Sequence, residues 1–244
     1  MDTIGAALEP ANSLHAARSR MSRHVAGYIR DLIVSGQMKP GERLRLEPLA
    51  RALDASTTPI REALLLLETE GLVKSEPRRG FYVLSLSPRD IEDIFDVHAV
   101  IAGRLAERAA RQLTETQLNE LAELDISIRL AVERGQPETV EQLNYAFHRI
   151  INRAAGSPML AQLLGRTTQY VPRRFYAEIH GWLQASAEEH AAIVEALRQS
   201  DGNLARSLVE RHIRDSGTLL VEHLRSIGFW GDADESNSLE SVRD

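Results

Sequence analysis

The sequence contains no cysteine. That absence excludes a disulfide scaffold, thiolate-held zinc, iron–sulfur clusters and a cysteine nucleophile together. Aromatic residues make up only 5% of the chain, and no apolar run approaches the ~18 residues that a membrane-spanning helix needs. The N-terminal stretch has no basic run followed by an apolar core, so no secretory leader is expected. Lysine is also scarce: Lys39 and Lys74 are the only two. Positive charge is therefore almost wholly arginine, whose planar guanidinium suits bidentate contacts to phosphate and base edges, although GC-rich coding gives the same bias.

What is present is ordinary globular material, 244 residues with 43% hydrophobic and 26% charged, enough for one large domain or two ordinary ones. The net charge of −6 conceals a division along the chain. Residues 18–89 hold 13 basic against 8 acidic groups, whereas residues 90–244 hold 16 against 25. A basic front joined to an acidic back is the asymmetry expected when one domain meets a polyanion.

Residues 1–17 are small and polar without a period and are expected to be a disordered arm. From Ser22 a helical stripe of Val25, Ile29, Leu32 and Ile33 runs to Gly36, and Pro40-Gly41 marks a turn. A short helix follows around 47–53, then a third over 58–70, with Ser56 as its expected N-cap and Pro59 in its first turn. Two β-prone pieces, 72–75 and 81–84, flank Glu76-Pro77-Arg78-Arg79-Gly80, which reads as a hairpin turn. Three short helices and a hairpin make a winged helix-turn-helix over 18–84, whose second helix of the pair enters the major groove. Arg78 and Arg79 sit at the hairpin tip, where phosphate or minor-groove contacts arise.

After a linker at 85–89 only helical periodicity remains, over 88–112, 115–134, 137–154, 158–179, 183–199 and 204–227. Thr114, Ser157 and Asp201 are cap candidates. The fold class is therefore mainly α: the winged domain, then an antiparallel bundle of about six helices over 90–228, with an acidic tail at 229–244.

Of eight histidines, His148, His190 and His212 each fall on the core-facing stripe of a different bundle helix. Asn144 precedes His148 by one turn on the same face. An amide oxygen and three imidazoles converging in a bundle suit a divalent ion of the zinc or nickel kind, with an open position for water or a carboxylate. Three buried, hydrogen-bonded structural histidines fit the same pattern.

Several motifs occur in order along the chain. These are Lys39-Pro40-Gly41-Glu42-Arg43-Leu44, Ser56-Thr57-Thr58-Pro59-Ile60-Arg61-Glu62-Ala63-Leu64, Glu70-Gly71-Leu72-Val73 and Arg78-Arg79-Gly80-Phe81. In this series the front half resembles the DNA-binding domain of the GntR family of bacterial transcription regulators. Asn144 to His148, Glu188-Glu189-His190 and Arg211-His212 resemble the FCD effector domain of its FadR subfamily. The resemblance implies a cytoplasmic, homodimeric regulator, expected to be a repressor and not an enzyme. It would bind double-stranded operator DNA and a small carboxylate effector, with no membrane partner.

Carried onto this chain, the resemblance places DNA contacts on Ser56, Thr57, Thr58, Arg61, Arg78, Arg79 and Gly80. It places a divalent metal on Asn144, His148, His190 and His212, with Glu188 or Glu189 as a partner for a second ring nitrogen. Three departures stand out. Thr57 occupies a position where many relatives carry arginine, and Glu47 replaces an arginine that contacts DNA in some members. His98 and Ala102 replace a frequent Arg and Glu pair, which makes His98 a candidate effector residue together with Tyr170 and Arg174. Two other readings follow from the histidines: a metal-dependent hydrolase and a metal-free effector sensor.

Overall fold

The computed structural model describes residues 3–84, 86–171 and 182–231. The chain divides after Leu86 into two compact units, each with its own core. No helix among the described residues is long and apolar enough to cross a membrane.

The first unit holds α1 (Thr3–Val34), β1 (Arg43–Leu44), α2 (Leu46–Ala52), α3 (Thr57–Thr69), β2 (Val73–Glu76) and β3 (Gly80–Val83). Val25, Ile29 and Ile33 of α1 and Ile60, Leu64 and Leu67 of α3 are buried, as the 3.6-residue period requires. Two polar clamps fix α1 to α3. Glu62 accepts from Ser22 at 2.6 Å and pairs with Arg18 at 3.0 Å, and Arg30 grips Glu70 with two 2.8 Å bonds.

One expectation is corrected in this unit and another is extended. α1 begins at Thr3 and takes in most of the segment expected to be a disordered arm, a stretch rich in alanine, the strongest helix former. The hairpin is also the larger part of a three-stranded antiparallel sheet, β1-β3-β2, because Arg43 and Leu44 pair with Tyr82 and Phe81.

The second unit is helical throughout: α4 (Pro88–Ala109), α5 (Glu115–Glu133), α6 (Pro137–Ala154), α7 (Pro158–Thr168), α8 (Trp182–Arg198) and α9 (Gly202–Ser226). Capping boxes open α4 at Ser87/Asp90 and α5 at Thr114/Gln117, and Asp201 caps α9. Ser157 makes no side-chain cap bond. α4 and α9 pack antiparallel through small residues. A Cβ on Gly217 would stand 2.6 Å from the Phe95 ring, and one on Gly103 only 2.5 Å from Glu210.

α7 stops at Thr168 and not near 179; residues 172–181 lie outside the described residues. Phe229, expected in the tail, is buried and meets Trp230 edge-on at 5.3 Å. The acidic remainder, 232–244, lies outside the described residues.

Candidate functional site

In the first unit, the N-terminal end of α3 is presented by its own amphipathicity. Pro59, Ile60, Ala63 and Leu64 are buried, so Ser56, Thr57, Thr58 and Arg61 face solvent. Ser56 holds the N-cap position in extended backbone but makes no side-chain cap bond, which leaves its hydroxyl for another partner. Arg61 makes no ion pair among the described residues, so it is not half of a surface pair on its helix.

In the wing, Arg79 N–H donates to the Glu76 carbonyl at 3.0 Å and closes a four-residue turn. Arg78 stands at φ +63 and Gly80 at φ +103, in the left-handed region. Glycine enters that region freely, and a side chain at position 80 would be strained there. Arg78 and Arg79 are exposed, and Arg79 also reaches the Glu76 carboxylate at 3.2 Å.

In the second unit, α6, α8 and α9 bring His148, His190 and His212 together. Each ring offers one nitrogen, and these atoms lie within 4.8 Å of one another. Nitrogens ligating one tetrahedral ion at about 2.1 Å stand ~3.4 Å apart, so ring rotation closes the remaining gap. Phe147 stacks on His190 at 4.2 Å and walls that side.

The protonation pattern suits ligation, which requires neutral rings. Burial first, then the neighbouring histidines, hold His148 and His190 well below the usual imidazole value. His212 Nδ1 stands 2.6 Å from Glu189 Oε2. Burial would raise the Glu189 carboxyl, but its hydrogen bonds with His212 and Asp215 outweigh this and keep it low. An ionised carboxylate only accepts, so Nδ1 is the donor to Glu189, and Nε2 is the nitrogen left to face a ligand. Of the two glutamates expected as partners, Glu189 therefore takes the role. Asp215 is raised by burial and by the neighbouring Glu189 carboxylate.

Three buried atoms have no hydrogen-bond partner among the described residues and bear on the cluster: Asn144 Oδ1 and both ring nitrogens of His190. An orphaned buried polar atom costs about 1–3 kcal/mol. A divalent ion held by the three rings would satisfy one His190 nitrogen, and the orphaned Asn144 oxygen lies one helical turn from His148, so the residues fit a metal.

His98 is buried beside the cluster, close enough for His212 to bear on its charge, and burial with that neighbour pushes it down to about 4. Its Nδ1 lies 2.8 Å from Thr167 Oγ1, which itself donates to the Leu164 carbonyl at 2.9 Å. Thr167 therefore accepts from Nδ1–H, and Nε2 of His98 is left as an acceptor. Thr167 carries no sequence signal of its own, because its partner lies 69 positions away. Tyr170 is half-buried just beyond α7, and Arg174 falls outside the described residues.

Comparison with known proteins gives the same two-part division. Residues 21–83 match the model of the bacterial regulatory proteins of the gntR family, and residues 93–215 match the FCD domain. The Uxu operon transcriptional regulator of Escherichia coli K12 is 30% identical over 225 residues, covering 83% of this chain and 88% of that one. A probable D-xylose utilization operon transcriptional repressor of Paenarthrobacter nicotinovorans is 27% identical, covering 82% and 91%. The solved structure of E. coli McbR/YncC has the same fold, with a TM-score of 0.66 at 24% identity over 83% of this chain and 97% of that one.

Proposed function

The chain belongs to the GntR family of bacterial regulatory proteins and carries an FCD domain, and from that premise we propose that it is a cytoplasmic, homodimeric repressor of the FadR type that releases its operator on binding a small carboxylate. That it is a DNA-binding transcriptional regulator and not an enzyme follows from the family and its relatives, which removes the hydrolase alternative. Two relatives are named as regulators of operons, one of them as a probable repressor.

The observation that carries the sensing half is the set of orphaned buried atoms on Asn144 and His190. Asn144, His148, His190 and His212 would hold a divalent ion, zinc or nickel by the preference of nitrogen-rich sites. That ion would supply an electrophilic position for a carboxylate oxygen. His98 would offer its Nε2 to a hydroxyl of the same ligand, with Tyr170 and Arg174 as further pocket residues.

On the DNA, Arg61 reads a guanine edge, a contact worth about 1–3 kcal/mol of discrimination. Ser56, Thr57 and Thr58 hold phosphates, and the wing residues Arg78, Arg79 and Gly80 approach the minor groove. Effector binding favours a dimer geometry in which the two recognition helices no longer match the half-site spacing.

The test is fluorescence anisotropy with the DNA upstream of the protein's own gene against scrambled DNA, over a salt series, with metal and small carboxylates added. Sequence-selective binding that a carboxylate weakens only in metal-loaded protein is expected. Release by effector that is indifferent to metal, and unaltered in His190→Ala, supports the metal-free sensor instead.

A further inference from the structure

β1 places an arginine where the sequence shows only a turn. Arg43 stands directly opposite Tyr82 across the sheet, and Tyr82 directly opposite Lys74. Opposed residues share a face, so Arg43, Tyr82 and Lys74 form one row. The alternating positions Leu44, Phe81, Val73 and Val83 are buried, which makes that row the solvent face.

Arg43 leans along the sheet towards the wing tip. Its Nε and one terminal nitrogen lie 3.8 Å from where a Cβ on Gly80 would stand. The guanidinium thus rests over the glycine that follows Arg78 and Arg79. Among the described residues of β1, β2 and β3, Glu76 is the one carboxylate on this face, and it already serves both Lys74 at 3.1 Å and Arg79 at 3.2 Å. Arg43 and Arg78 make no ion pair among the described residues. Arg43, Lys74 and Arg79 against one carboxylate, with Arg78 exposed in the adjoining turn, leave this end of the sheet positive.

We infer that Arg43, carried by β1 to the wing tip, forms with Arg78 a binding site for a backbone phosphate of duplex DNA. The inference rests on the DNA-binding reading of the first unit. A phosphate contact neutralises charge without reading sequence, so its loss lowers affinity equally on all duplexes and flattens the salt dependence.

The experiment compares full-length wild type, Arg43→Gln and Arg43→Lys by anisotropy on the upstream duplex and a scrambled one between low and physiological salt. For Arg43→Gln the slope of log K against log salt becomes shallower by about 0.9 for each Arg43 engaged. Affinity at physiological salt falls several-fold on both duplexes, and Arg43→Lys restores most of both. An unchanged slope overturns the inference. A loss confined to the upstream duplex also overturns it, since that marks a base reader. A loss shared by Arg43→Gln and Arg43→Lys, with a lowered Tm in each, assigns Arg43 a purely structural role and overturns it as well. Wild type that binds neither duplex with any salt dependence removes the DNA-binding reading along with it.

Discussion

His98 is neutral at neutral pH, and Thr167 fixes which of its nitrogens carries the proton. Its folded value of about 4 lies below the ordinary 6.5, so the unfolded chain binds the proton more readily. Stability contributed by the neutral ring is complete above pH 6.5 and is lost as pH falls towards 4, about 3 kcal/mol in full. His98→Gln removes this titration. Thermal melts of the variant should therefore lose less Tm than wild type between pH 6.5 and 4.5, whereas parallel curves refute the assignment. Asn144 sets a second expectation. An amide oxygen carries no charge to offset a divalent ion, so Asn144→Asp should tighten metal binding about tenfold, ~1.4 kcal/mol, by competition with a chromophoric chelator. Unchanged or weaker binding would remove Asn144 from the ligand set.

At the level of elements, the α4–α9 pairing depends on small residues. Gly217→Ala forces a methyl against the Phe95 ring and should cost about 1–3 kcal/mol by overpacking. A Tm lower by several degrees is expected, and an unchanged Tm would mean that the helices separate freely. Cap chemistry and periodicity were legible in the sequence because both are local: Thr114 and Asp201 bond to backbone three residues away. β1 was not legible, since two residues have no period and their pairing partners are Tyr82 and Phe81, nearly forty residues on. α7 ends at Thr168 although apolar spacing continues past it, so periodicity alone overstates the helix.

For the whole molecule, operator and effector must obey reciprocity. If effector weakens DNA binding by some factor, DNA weakens effector binding by the same factor. A coupling of 5–150-fold, about 1–3 kcal/mol, is the usual range. Calorimetric titration of effector into free and DNA-bound protein should give Kd values differing by the factor that anisotropy reports. Equal Kd values would exclude the population-shift mechanism. The division into a basic front and an acidic back was already visible in the residue counts, and the two compact units part at Leu86.

By itself the sequence determined the helical class, the winged front unit and the motifs that mark its family, because all of these rest on patterns within a few turns of chain. It also set His148, His190 and His212 on inward stripes, since helical period assigns a face. Only the tertiary structure decided that these three rings converge, that Glu189 and not Glu188 holds His212, and that Thr167 meets His98. Those contacts join helices far apart in sequence. Helix packing fixes which faces meet and at what height, and no local pattern records it.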